Sequence, residues 1–96
     1  MISIKFYDTR VATTPSGTLL TLDYYLLTTI SRSSTFYGIK VCSKQPAPQP
    51  RFYTEQVSNI SNSMDDVSTL LHLCADHFVT PTDLITALDT LMNLSA

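Results

Sequence analysis

The clearest periodicity in the chain lies in its last third. Apolar residues fall at Val67, Leu70, Leu71, Cys74 and Phe78, the spacing of one helical face. Ser63 stands just ahead of them with Asp66 three residues on, a variant of the capping box. Its hydroxyl can accept from the free amide of Asp66, and Asp65 and Asp66 suit the positive end of a helix. A second start follows. Thr80 occupies the cap position, Pro81 the first helical position, where its missing N–H has no partner to lose, and Asp83 the third. Leu84, Ala87, Leu88, Leu91 and Leu94 form the next stripe, widened by Ile85 and Met92. The pattern predicts a helical pair over 63–95. Its short connection at Val79-Thr80-Pro81 makes the pair angled or antiparallel.

Residues 1–62 switch to period two. Ile2, Ile4 and Phe6 alternate with Ser3, Lys5 and Tyr7, which predicts a strand buried on one face. Asp8 to Ser16 breaks that pattern, and Pro15-Ser16-Gly17 is a turn by composition. Thr18 to Ile30 is a long β-rich run interrupted by Asp23, so a bend or bulge is expected near Leu22-Asp23. Ser31 to Ser34 suits a hairpin loop of about four residues. Thr35 to Ser43 is the next strand, and Gly38 inside it signals a bulge, a bend or a close approach. From Lys44 to Arg51, Pro46, Pro48 and Pro50 alternate with other residues, which predicts an extended loop. That loop is read as a stiff connector or, alternatively, as a proline-rich ligand for a partner domain. Phe52 to Val57 resumes the sheet.

The prediction is a single α+β domain over 1–96. An antiparallel sheet of three to four strands is followed by two C-terminal helices packed on one face. With 44% apolar and 15% charged residues the chain is not a disordered one. It lacks a secretory apolar region near Met1, and its longest aliphatic-aromatic run, Tyr24 to Leu27, is far too short to span a bilayer. A cytoplasmic location with Cys42 and Cys74 reduced is therefore expected. All six basic residues precede residue 52 and give that segment a net +4, whereas the remainder holds six acids and no Lys or Arg. Scattered basic residues in an acidic chain do not make a phosphate footprint, so nucleic acid is not an expected partner, and neither is a membrane.

Candidate chemistry is sparse. His72, Cys74, Asp76 and His77 have side chains that ligate metals, but Cys74 belongs to the apolar stripe and no second ligand pair exists, so no metal is expected. A Cys74–His77 nucleophile pair is opposed by the acidic neighbour Asp76. Only Gly17 and Gly38 are available, so there is no glycine-rich phosphate loop. The expectation is a protein that is not an enzyme and has no cofactor. The aromatic residues concentrate in the sheet, and at least one tyrosine of each adjacent pair should face away from the core. Tyr24, Tyr25, Tyr37 and Tyr53 are the candidate interaction residues.

The run Tyr24-Tyr25-Leu26-Leu27-Thr28, then Tyr37-Gly38-Ile39-Lys40-Val41, then Ile60-Ser61 resembles a family of small uncharacterised proteins from Gram-positive bacteria, a domain of unknown function. The Leu73-Cys74 helix and the second helix opening on a proline extend the resemblance over about residues 20–94. The likeness implies the fold and a cytosolic location and brings no activity with it. Two functions are expected from the residues. The first is a protein–protein interaction or regulatory module, with a protein partner or a homo-oligomer through sheet faces or edges. The alternative is a small-molecule sensor with a pocket between sheet and helices, formed by Tyr37, His72 or Arg51.

Overall fold

The computed structural model describes residues 1–46 and 49–94, with the backbone alone at Leu94. Four strands come first: β1 (Ile2–Thr13), β2 (Leu19–Ile30), β3 (Thr35–Gln45) and β4 (Arg51–Ser61). Helix α1 (Met64–Asp76) follows, then a single 3-10 turn (Pro81–Asp83) running into α2 (Leu84–Leu94). The sheet is an antiparallel meander in the order β1-β2-β3-β4. Short loops between consecutive strands favour this topology. The α+β architecture with two C-terminal helices is therefore the one the sequence predicts.

The core follows from the register. Leu22 and Tyr24 of β2 and Ile39 and Val41 of β3 cluster with Val67, Leu71 and Cys74 of α1 and Leu84 and Leu88 of α2. Even positions of β2 and odd positions of β3 thus face the helices. Ser63 caps α1 as its sequence suggests, its hydroxyl accepting from the Asp66 amide at 3.2 Å. At the second start the Thr80 hydroxyl donates instead to the Asp83 carboxylate at 3.2 Å, and the first turn after Pro81 is 3-10.

Several boundaries differ from the pattern. The first strand does not stop at Tyr7 but continues to Thr13, because a β-bulge lies between Phe6 and Asp8. One extra residue inverts the phase of the strand. Ile2, Ile4 and Phe6 before it therefore share a face with Thr9, Val11 and Thr13 after it. The bulge expected near Leu22-Asp23 is thus in the neighbouring strand, and β2 itself pairs without interruption from Leu19 to Ile30. Asp23 fits there because the Thr9 hydroxyl donates to it at 2.7 Å and the Lys44 ammonium lies 3.3 Å away. In the Pro-rich stretch, Lys44, Gln45 and Arg51 belong to strands. Ala47 and Pro48 lie outside the described residues, as do Ser95 and the side chain of Leu94, so the loop and the last stripe position are described only in part.

Phe78 is the clearest departure in the helices. It is not part of the apolar face of α1, which ends at Asp76. Its φ is +53°, its side chain is exposed, and Val79 takes the core place. The Phe78 amide donates to the Ala75 carbonyl at 3.2 Å and the Val79 amide to the Cys74 carbonyl at 3.0 Å. This is a Schellman end with phenylalanine where glycine is usual. A left-handed backbone costs an L residue about 1–2 kcal/mol. Phe78→Gly is therefore expected to stabilise the fold by about 1 kcal/mol in urea unfolding. An unchanged or lower midpoint would mean that the Phe78 ring holds contacts worth more than the strain.

Candidate interaction surface

Among the described residues no helix lies over the opposite face of the sheet. Its rows follow from the register: Ile2–Thr29–Phe36, Ile4–Leu27–Gly38, Phe6–Tyr25–Lys40, Thr9–Asp23–Cys42 and Val11–Thr21–Lys44–Phe52. The first strand is expected to bury Ile2, Ile4 and Phe6, but they are 59%, 52% and 54% exposed. The helices cover the other face, where the bulge has placed Asp8 and Arg10. Leu27 is buried although it belongs to the open side, between Ile4 and Gly38 in the register. The Phe6 and Tyr25 rings meet edge to face at 5.8 Å, and the Lys40 ammonium stands 5.9 Å from the Tyr25 ring. The apolar half of this face thus has an ordered centre and an exposed margin.

The four candidate tyrosines do not come together. Tyr24 has no exposed surface and is withdrawn as an interaction residue. It points into the core, where its hydroxyl donates to the Val79 carbonyl at 2.8 Å. Tyr37 and Tyr53 register with the helix side of the sheet, one half-buried and the other exposed near opposite ends of their strands. Tyr25 alone belongs to the open face. Reading adjacent tyrosines as a pair hides the larger signal. Two helical stripes suffice for one face only, so β1's alternation of Ile and Phe has no cover left.

A polar cluster joins β1 to α1. The Arg10 guanidinium lies 2.9 Å from the Asp8 carboxylate and 3.5 Å from that of Asp76, while its Nε has no hydrogen-bond partner among the described residues. His72 bridges the Asp76 carboxylate at 3.1 Å and the Tyr7 hydroxyl at 3.1 Å. These contacts pin the edge strand to the helix. Among the described residues no three His, Cys, Asp or Glu side chains gather as a metal site. Burial pushes the Cys74 thiol up to about 11, so it stays protonated at neutral pH, the wrong state for a nucleophile. Cys42 is half-buried and both cysteines are free. Tyr37, His72 and Arg51 do not line one pocket: Tyr37 pairs with Ser61 at one end of β4, Arg51 opens the other end, and His72 faces β1.

Among the described residues no helix is long and apolar enough to cross a membrane. No curated protein and no solved structure matches the chain. A family described as a family of unknown function, DUF6514, matches residues 4–94, from the exposed isoleucine of β1 to the end of α2. The chain, with its meander and helical pair inside that span, belongs to this family of unknown function.

Proposed function

We propose that the protein is a non-catalytic interaction module that pairs with a second copy of itself through the open sheet face. The observation that carries this reading is the uncovered row of Ile2, Ile4 and Phe6, backed by Leu27 and Phe36. Several large apolar side chains exposed together on one face support an interaction site there. The whole face, its polar rows included, approaches the area that a dimer needs. Four strands about 4.8 Å apart and about 12 residues long, at about 3.4 Å per residue, make a face on the order of 750 Å². A stable dimer buries about 800 Å² per partner. Two such sheets stack at about 10 Å as in a β-sandwich, their side chains interdigitating.

The edges are poorer candidates than the face. β1 is bulged at Tyr7 and carries Lys5, Asp8 and Arg10, and β4 is irregular between Val57 and Ser61. Bulges and charges of this kind blunt edge-to-edge pairing. Two free cysteines suit work in the cytoplasm, where thiols stay reduced. The test is Ile4→Glu combined with Phe6→Glu, measured by light scattering. Both side chains are more than half exposed, so the fold should persist by circular dichroism. Charges facing each other across a dry interface should leave a monomer. A variant that keeps the native mass would remove the sheet face from consideration.

A further inference from the structure

A second surface lies on the other side of the molecule, where β4 runs beside the helices. One hollow of about 480 Å³ opens between Leu70 and Leu73 of α1 and Leu91 of α2 and reaches Ile60. Another of about 560 Å³ lies between Gln56–Ile60 and Ile85, Leu88 and Asp89 of α2. They meet at Ile60 and Met92, which border both, so they form one continuous groove. Its strand wall comprises five consecutive residues, Gln56 to Ile60. Side chains alternate between faces, so a wall of consecutive residues presents the strand's edge, main chain included.

Among the described residues no strand pairs with that edge, and it is not regular. Tyr37 pairs with Ser61 and Ile39 with Val57, so Ser58, Asn59 and Ile60 stand together opposite Gly38 alone, with Asn59 at a φ of +56°. Main-chain groups beside an apolar trough favour an extended peptide over a purely apolar small molecule, which would leave those groups dry. Charge narrows the choice further. Asp66 and Asp89 are the ionisable residues lining the groove, and no Lys or Arg occurs after Arg51. We infer that this groove binds an extended peptide segment of alternating apolar and basic residues. The peptide lies in the trough between β4 and α2 without extending the sheet, its apolar side chains seat against Ile85 and Leu88, and its cations reach Asp89 and Asp66.

Amide NMR of the full chain tests this with two short blocked peptides, Val-Lys-Leu-Lys-Val and Val-Glu-Leu-Glu-Val. The lysine peptide should give saturable shifts at Gln56–Ile60 and Ile85–Met92, with the glutamate peptide at least about tenfold weaker. Ile85→Lys, at a side chain 56% exposed, should keep the fold by circular dichroism and weaken the lysine peptide by a similar factor. The inference is overturned by no saturable shift at millimolar peptide, by equal response to both peptides, or by undiminished binding to Ile85→Lys. Shifts in the groove with hexanol and neither peptide would assign it to small apolar molecules and equally overturn it. Because Ile85–Met92 lie on the helix side of the sheet while Ile2, Ile4 and Phe6 lie on the open face, shifts at α2 keep the two readings separate.

Discussion

Replacing Gly38 by alanine should cost the fold about 3 kcal/mol or more, among the largest losses expected from any single methyl group. A Cβ at this position would lie 2.2 Å from the Val57 carbonyl oxygen and 2.9 Å from the Ser58 Cα. Both are main-chain atoms, so neither can rotate out of the way. The crowding has a plain origin. Between its pairings with β3, the β4 chain carries extra residues, and its backbone closes over the strand at the glycine. Alanine must push that backbone off, breaking the ladder between Ile39–Val57 and Tyr37–Ser61. For a domain of this size the loss corresponds to a fall in Tm of at least about 12 °C. Thermal unfolding followed by circular dichroism reads it directly. An unchanged Tm would mean that β4 does not pass over Gly38 in this way.

Tyr24→Phe is the second large effect, because it removes one oxygen from the middle of the core. The lost hydroxyl leaves the Val79 carbonyl unpaired in a buried place, a cost of about 1–3 kcal/mol. Val79 joins α1 to the 3-10 turn, so this bond ties the helical layer to the sheet. The variant also has a signature in pH. Burial, with the Cys74 side chain adding to it and Arg10 opposing, holds the Tyr24 phenol well above its ordinary value of 10.0. Burial likewise lifts Cys74 from 9.0 to about 11. Both groups ionise more easily in the unfolded chain than in the fold. Their stabilisation is therefore complete below about pH 9 and is lost as pH rises, first through Cys74 and then through Tyr24. Tyr24→Phe should lower stability at neutral pH and make the alkaline decline above about pH 10 shallower. Equal stability of the two proteins at pH 7, or an unaltered alkaline limb, would place the hydroxyl outside the core.

The helical pair was legible because its signals are local. Ser63 with Asp66, and Thr80 with Pro81, act within one turn of the residues they start, and period alone marks the apolar stripes. The meander was legible for a related reason, since short loops leave little choice of neighbour. The bulge at Tyr7 was not, because a single inserted residue looks like the end of a pattern. Asp8 and Arg10 read as a break in a strand, although they are strand residues turned towards α1 by the change of phase. Asp23 misled in the opposite direction, its cost being offset by Thr9 and Lys44 from the two neighbouring strands. Phe78 kept helical spacing but not helical conformation, and spacing cannot report φ.

The open face of the sheet was legible only in part. Aromatic pairs such as Tyr24-Tyr25 do split between the two faces, as strand geometry requires. Which member faces the core depends on where the helices lie, and no local signal carries that. Ile2, Ile4 and Phe6 were readable as one apolar face, yet an apolar strand face ordinarily implies a core. Their exposure follows from the supply of cover: α1 and α2 lie together on the other side of the sheet.

Solution mass by light scattering, over a range of concentrations at low and high salt, tests most directly whether that face is a pairing surface. A mass of two chains is expected at both salts, since an apolar interface survives screening whereas one held by surface charge does not. A mass of one chain at every concentration would contradict it.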